Sequence, residues 1–536
     1  MTTTSIDRKS ISKTSITSKK SDIVVIKTRE HPYSDTSSSL EAGLSDDDDE
    51  DNTEGYDKTL QWTEDEERSI VRKLDFRLMP FMLIMSFVLN MDRTNLSNAI
   101  SDDLAKDLGF TNDGVNVTIM VYSVLFTIFT LPSNFISKRI GAHIWIPIMM
   151  NSWGVVTWAH ALVHNYASFF VVRMLIAVTE AGFIPACLYY LTGWYKTTEL
   201  ATRLACFWGV QSFASAFSGL ISFGIFRMSG MGGLEGWKWL FLLDGIFTHI
   251  IGFTAFFYLP SRPSRTQGVL RGRKGWFNER ETKIAVTRLI RDDKSKTEQH
   301  SRISWDDVKE CFLDTKVWMH LIATFVGFMT QTPTTTYLPT IIKDNGFSVT
   351  NANLLTVPAY IINLIFSILI AWSSDRYGEV AFHALISVFW QLGSFIALRT
   401  LPADAGRWSI YAAAMMAVAA PSWHGMHIAW LSSNAAPVGK RALALSMMVG
   451  FANLSHVPGA MFYQTWDAPR YYYGNTICIA LQSVLAILFL SLRFRYSLTN
   501  RWRTYKWNKM SQEEKKHYLQ TTKAKGSNRL DFRFRI

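Results

Sequence analysis

Residues 76–98 read FRLMPFMLIMSFVLNMDRTNLSN. A bilayer core of about 30 Å needs roughly 20 mostly apolar residues in one helix, so this stretch is long enough to cross a membrane. It also carries Asp92 and Arg93, although a charged side chain at the bilayer centre costs about 2.5–3.5 kcal/mol on insertion scales. The stretch therefore predicts a membrane-spanning helix and marks two residues in it as candidates for function.

Windows of the same length and character recur along the chain. Six lie near 76–98, 115–137, 144–163, 167–191, 203–227 and 239–259, and six more lie near 316–341, 353–374, 381–400, 408–431, 440–464 and 473–493. The sequence thus predicts an all-α polytopic membrane protein with twelve transmembrane helices in two six-helix halves. The predicted parts are a tail over 1–60, an N-terminal half over 61–260, a central loop over 261–315, a C-terminal half over 316–495 and a C-terminal tail over 496–536.

Composition and charge agree with this organisation. Only 18% of the 536 residues are charged, against about 25% in ordinary soluble domains. The tail over 1–60 is rich in Ser, Thr and Asp and too polar to bury a core, so we predict that it is disordered. The four cysteines are too few and too scattered for a disulfide framework.

The positive charge has a sidedness. Basic residues collect in the loops on one side of the predicted membrane, including the central loop, whereas the opposite loops carry Asp102, Asp103, Asp107 and Asp113. The positive-inside rule then puts both termini and the central loop in the cytosol. The net charge of +11 is explained in this way, and no nucleic-acid partner is needed.

Four charged residues within the predicted spans are the strongest functional signal. Asp92 and Arg93 lie in the first segment, and Arg173 and Glu180 lie seven residues apart in the fourth, on one face of a helix. Arginines can receive an anionic substrate through bidentate contacts, and carboxylates can exchange protons with a gradient. Two other readings stay open: Asp92 pairs with an arginine only to fasten the helices, or Asp92 and Arg93 lie in water at the interface.

Weaker candidates are polar or aromatic residues in other spans. Gln211 follows Trp208 in the fifth segment, Asn453 lies in the eleventh, and His424 and His427 lie three residues apart in the tenth. An amide side chain inside the membrane can hydrogen-bond either a ligand or a neighbouring helix, and the sequence favours neither role. Trp208 and the two histidines are predicted to line a cavity, and without a third ligand nearby the histidines do not predict a metal site.

No motif of an enzyme is present in the sequence. It contains neither a phosphate-binding Gly-rich loop with lysine nor a nucleophile or metalloprotease pattern. We therefore predict that the protein is not an enzyme, has no cofactor and draws its energy from an ion gradient or from the gradient of its substrate.

Three stretches carry a family resemblance. They are residues 71–80 (VRKLDFRLMP) continued by residues 92–95 (DRTN), residues 173–185 around the fourth-segment charges, and residues 236–241 (GWKWLF). Together they resemble the anion:cation symporter family of the major facilitator superfamily, and more narrowly its fungal allantoate permease branch. The likeness covers roughly residues 62–518.

This resemblance implies a proton-coupled symporter that imports a small organic anion, a carboxylate or a sulfonate, most naturally across the plasma membrane and as a monomer. In similar carriers the first-helix Asp and the fourth-helix Glu take up protons, which maps onto Asp92 and Glu180. The arginines of the same helices map onto Arg93 and Arg173 as substrate-binding residues, and further substrate contacts map onto Gln211 and Asn453.

The sequence departs from the family pattern in several places, and two other functions stay open. Lys138 stands where the loop motif after the second helix has an acidic residue, and Asn90 stands where sugar-acid carriers offer a Tyr, which speaks against a sugar acid as the ligand. The alternatives are a non-transporting nutrient receptor and a drug or cation exporter of the same fold. Two intramembrane arginines favour an anion over a cation.

Overall fold

The computed structural model describes residues 55–292, 305–402, 404–436, 438–522, 524 and 526–536. Nearly all of the tail predicted to be disordered lies outside the described residues. Within the described part the secondary structure is helical, and β-pairing is limited to two isolated bridges, Arg262 with Arg265 and Gly268 with Gly272.

Six helical spans form the N-terminal half, and we number spans in chain order. They are span 1 (Glu64–Ser101), span 2 (Asn112–Ile140), span 3 (Ala142–Trp158, continued by the turn Ala159–Leu162), span 4 (Tyr166–Glu180 and Phe183–Thr192), span 5 (Thr197–Ile225) and span 6 (Gly236–Tyr258). Span 1 begins with a capping box, in which the side chain of Thr63 accepts from Glu66 N and the side chain of Glu66 accepts from Thr63 N.

Six more spans form the C-terminal half. They are span 7 (Thr315–Met329 and Gln331–Asp344), span 8 (Val357–Tyr377, preceded by Val349–Leu354), span 9 (Ala381–Thr400), span 10 (Arg407–Ala419 and His424–Asn434), span 11 (Val438–Leu454, followed by His456–Gly459) and span 12 (Tyr472–Lys509). Each predicted window overlaps one span, so the twelve-helix prediction is confirmed. Span 12 continues to Lys509, well past the predicted end at residue 493.

Length and composition alone identify eight of these helices as able to cross a membrane. The other four are spans 3, 7, 10 and 11. The main helices of spans 3 and 11 have only 17 residues each, and spans 7 and 10 are interrupted. The breaks in spans 4, 7 and 10 take backbone groups out of the regular helical hydrogen bonding. Inside a membrane this is tolerated where those groups face protein or a cavity.

Spans 3 and 6 approach each other closely at two glycines. A Cβ on Gly245 would lie 2.4 Å from the backbone nitrogen of Trp158, and Gly154 faces the carbonyl of Gly245. Small residues of this kind allow two helix backbones to touch. The neighbour of Gly245 in the sequence, Asp244, is thereby brought to the packed centre of the N-terminal half.

A helix from the central loop, Glu279–Asp292, which we call the loop helix, packs on the N-terminal half. Its Arg288 is fully buried and donates to Glu199 Oε1 at 2.8 Å and to the carbonyl of Trp194 at 3.0 Å. Arg288 Nη1 also lies 3.6 Å from Glu67 Oε1. The loop helix marks one end of the molecule, which we call the basic face.

We expect Arg288→Met to lower the free energy of unfolding by about 3 kcal/mol, because it leaves the largely buried carboxylate of Glu199 without its cation. The measurement is thermal melting of the purified protein in detergent. Arg68→Met is the matched control, since Arg68 is 71% exposed in its pair with Glu64 and exposed pairs contribute about 0–1 kcal/mol. Equal shifts for the two variants would contradict the role of Arg288.

Candidate functional site

The end of the molecule opposite the basic face carries Asp102, Asp103, Asp107 and Asp113, and we call it the acidic face. There the two halves are joined by hydrogen bonds. Lys343 Nζ lies 2.7 Å from Asp103 Oδ1, and the amide of Asn353 donates to Ser101 Oγ at 2.8 Å. Further bonds run from Tyr337 Oη to Asn116 Oδ1 (2.5 Å), from Asn116 Nδ2 to the carbonyl of Tyr463 (2.8 Å) and from Thr465 N to Asp113 Oδ1 (2.9 Å).

One carboxyl of the acidic face titrates near neutrality. Burial, with smaller contributions from the carboxylates of Asp107 and Asp103, raises the pKa of Asp102 to about 7. Asp102 is therefore partly protonated at neutral pH.

Two of the predicted site residues, Arg93 and Glu180, come together in the N-terminal half, beside a tyrosine that was not predicted. Arg93 of span 1 forms an ion pair with Glu180 of span 4, and Tyr122 of span 2 donates to Glu180 Oε2 at 2.6 Å. Glu180 is the last residue before the break in span 4. The break needs Gly182, whose φ of +88° disfavours other residues and whose missing Cβ leaves room for Ser133 of span 2.

The two arginines differ in access. The Arg93 side chain is 34% exposed in spite of its ion pair, and its guanidinium lies over the ring of Phe126 at 5.2 Å. Arg173 is 6% exposed and lies over the ring of Tyr122 at 5.4 Å. Its Nε has no hydrogen-bond partner among the described residues. Arg93 is thus the guanidinium that an arriving molecule can reach.

Asp92 points away from Arg93, into the contact of spans 1, 3 and 6. It is 3% exposed and accepts from Thr157 Oγ1 of span 3 at 2.8 Å. A second carboxyl, Asp244 of span 6, is 4% exposed and accepts from Asn95 Nδ2 at 2.8 Å. Sequence reasoning missed Asp244, although a carboxyl inside the apolar window 239–259 was a signal that could have found it.

The candidate residues for lining a cavity separate in the structure. Trp208 of span 5 meets His424 of span 10 across the halves, with ring centroids 6.3 Å apart, and Phe328 stacks edge-on against His424 at 4.6 Å. His427 is instead fully buried and lies 2.7 Å from His320 Nδ1. The structure therefore places His424, and not His427, at the boundary between the halves.

The two candidate amides also differ. Gln211 is exposed on span 5, one helical turn from Trp208. The amide nitrogen of Asn453 donates to the carbonyl of Val449 in the same helix at 2.9 Å. Next to Gln211, the hydroxyl of Ser212 donates to Asn363 Oδ1 of the other half at 2.7 Å.

Metal ligands are not clustered in the described ranges, which contain no group of three or more His, Cys, Asp or Glu side chains able to hold an ion. The residues of this site can bind an anion or exchange a proton. The site offers one reachable guanidinium, one carboxylate paired with it and two further buried carboxyl groups.

Comparison with known proteins decides the family. The sequence pattern of the Major Facilitator Superfamily matches residues 82–460, more than half of the chain. The chain belongs to the major facilitator superfamily. An uncharacterized transporter of Saccharomyces cerevisiae is 30% identical over 482 residues, which cover 89% of this chain and 89% of that protein. The major facilitator-type transporter hxnP of Emericella nidulans is 29% identical over 411 residues, 76% of this chain and 81% of that protein.

Solved structures show the same fold. The xylose transporter XylE from E. coli, in a partially occluded inward open conformation, matches with a TM-score of 0.60 at 14% identity, over 78% of this chain and 97% of that chain. A bacterial homologue of the lysosomal transporter Spinster, inward-facing and unoccupied, matches with a TM-score of 0.59 at 13% identity, over 81% and 98%. This superfamily member is therefore a multi-pass membrane transporter and not an enzyme.

The pair between Asp103 and Lys343 offers a test of the contact between the two halves at the acidic face. We expect Asp103→Cys with Lys343→Cys, in a Cys206→Ser background, to be joined by a short bifunctional thiol reagent. A protease site in the central loop then lets a gel show whether the two halves stay attached. Each single-cysteine variant is the control, and a double variant that separates as readily as they do would contradict this contact.

Proposed function

We propose that this chain is a proton-coupled symporter that imports a small organic anion across the plasma membrane. The observation that supports it best is the contact between Arg93 and Glu180. Arg93 is a third exposed while its partner is buried, so an incoming anion can reach the guanidinium and compete with Glu180 for it. The resemblance to the anion:cation symporter family supports the same proposal.

The proposed coupling follows from that competition. When the carboxylate or sulfonate of a substrate binds Arg93 in place of Glu180, Glu180 becomes a buried anion. Its remaining hydrogen bond is the one donated by the Tyr122 hydroxyl. A buried unpaired carboxylate is costly, and one proton from the outside neutralises it. Substrate and proton thus enter together, and return of Glu180 to Arg93 releases both.

The rest of the substrate faces a mixed surface between the halves. Trp208, His424 and Phe328 present aromatic faces at the boundary, and Ser212 with Asn363 offers hydrogen-bonding groups there. Gln211 is exposed near them and stays our candidate for a substrate contact, with Asn453 as a second. We propose a compact, partly planar acid such as a vitamin, a ureide or a sulfur-containing nutrient.

The experiment is a competition panel of vitamins, ureides, amino acids and sulfonates in cells that express this chain. We expect uptake of one organic acid that rises at acidic outside pH and collapses with a protonophore. Proton uptake that depends on this acid, followed with a pH-sensitive dye inside vesicles, excludes the non-transporting receptor, which gives none. Outward transport of cations, with no uptake of any acid, would instead favour the exporter and overturn the proposal.

A further inference from the structure

Asp92 and Asp244 are two buried carboxyl groups that the proposed exchange at Glu180 does not use. Each has one oxygen bonded, Asp92 Oδ2 to Thr157 and Asp244 Oδ2 to Asn95. The other oxygen of each, Oδ1, is buried without a hydrogen-bond partner among the described residues. No described lysine, arginine or histidine lies within 4.0 Å of either carboxyl, and the two act on each other electrostatically.

If every group around the pair is ionised, one negative charge is left without a compensating cation. The charged or titratable groups that face the pair are Arg93 on span 1, Tyr122 on span 2, His160 after span 3, and Arg173 and Glu180 on span 4. Arg93 is offset by Glu180, which leaves Arg173 as the one cation for two carboxylates. Since an uncompensated charge is strongly unfavourable at this depth, a single proton on the pair restores neutrality.

His160 does not supply that missing charge. Its Nδ1 lies 3.0 Å from the carbonyl of Thr157, which matches an N–H donor, and its ring stacks on Phe241 at 4.3 Å. Its Nε2 is buried without a partner among the described residues. A protonated imidazole would leave a charged N–H without an acceptor there, so the neutral ring fits the site.

A polar ladder connects this pair with the acidic face. Asp92, Asn95, Asn98 and Ser101 recur every third residue along span 1, so each lies about one turn from the next and the row winds around the helix. Ser218 of span 5 donates to Asn95 Oδ1 at 2.9 Å, and Asn98 donates to Ser218 and to Ser222 at 2.8 Å. Ser101 in turn accepts from Asn353 of the other half.

We propose that Asp92 and Asp244 share one proton and that Asp244 is a proton-binding residue of this transporter. The unbonded Oδ1 atoms are the sites of exchange: the oxygen–hydrogen bond breaks, a water molecule admitted when the halves separate takes the proton as hydronium, and the pair becomes two carboxylates facing Arg173. The ladder joins the pair to the contact between the halves, so separation of the halves at the acidic face changes the hydrogen bonds of Asp244. Its part in transport rests on the proposed proton symport, whereas the shared proton does not.

Infrared spectroscopy of the full-length protein in liposomes tests this without a substrate. All proteins carry Asp102→Asn, because Asp102 is itself partly protonated at neutral pH. The parent is expected to show the carbonyl band of a buried protonated carboxylic acid. Asp244→Asn and Asp92→Asn are each expected to lose the absorbance of one protonated carboxyl from this band. The remaining carboxyl then stays ionised, because its charge is balanced by Arg173. Asp404→Asn, at an exposed loop position, is the matched control and leaves the band unchanged.

Loss of the band in only one of the two variants, or in neither, overturns the shared proton. Asp244→Glu keeps a carboxyl at the site and is expected to retain the band at a shifted frequency, so it decides the matter if Asp244→Asn does not fold. Failure of every organic acid in the uptake panel would refute the symporter and leave this spectroscopic result standing. The reverse result, uptake with protons and an unchanged band, would refute the shared proton alone.

Discussion

Glu180→Gln is expected to abolish uphill uptake while leaving exchange of substrate across the membrane intact. Glutamine has the shape of a protonated glutamate and still accepts from Tyr122, but it can neither bind nor release a proton. A pH difference of one unit supplies about 1.4 kcal/mol per proton, enough for roughly tenfold accumulation. The variant should lose this factor and equilibrate substrate to about the same concentration on both sides.

The measurement compares accumulation and counterflow in proteoliposomes at two outside pH values. Glu235→Gln serves as the control, since Glu235 is an exposed residue in the loop before span 6. It should accumulate substrate like the parent. Accumulation by Glu180→Gln that still follows the pH gradient would mean that Glu180 does not couple the proton to the substrate.

Arg93→Lys is expected to weaken binding of the organic anion by roughly 10–100-fold, the equivalent of about 1.5–3 kcal/mol for hydrogen bonds to a charged group. A lysine keeps the positive charge but loses the planar pair of donors that matches a carboxylate. Arg93 is the reachable guanidinium of the site, whereas Arg173 is almost fully buried.

Binding of the anion to purified protein, followed by calorimetry, separates this effect from coupling. Arg139→Lys is the matched control, because Arg139 is exposed at the basic end of span 2 and is expected to leave the dissociation constant unchanged. An unchanged dissociation constant for Arg93→Lys would show that the anion binds elsewhere.

The twelve spans and their order could be predicted from the sequence because each rests on a local property. An apolar window of about 20 residues has to cross the bilayer whatever its neighbours are. The interruptions of spans 7 and 10 were less visible, since such windows stay apolar on average while the helix breaks inside them. The extension of span 12 to Lys509 was missed because its residues beyond 493 are polar.

The candidate site could be predicted only as a set of residues. Asp92, Arg93, Arg173 and Glu180 stand out because charges in apolar windows are rare. Which of them pair is a different matter, since Arg93 and Glu180 are 87 residues apart and Asp92 turns instead to Thr157, 65 residues away. The spacing of His424 and His427 likewise could not show that a break before His424 puts one ring at the boundary and buries the other.

Local hydrophobicity and the placement of charge thus determined the membrane architecture and the charged residues of the N-terminal half. Only the tertiary structure shows that Glu180 forms an ion pair with Arg93 and that the buried Arg173 guanidinium lies over the ring of Tyr122. It likewise shows that Asp244 lies near Asp92. The physical reason is that pairing depends on contacts between helices. Close packing at Gly154 and Gly245 brings span 6 onto span 3, and with it a carboxyl whose role only its neighbours define.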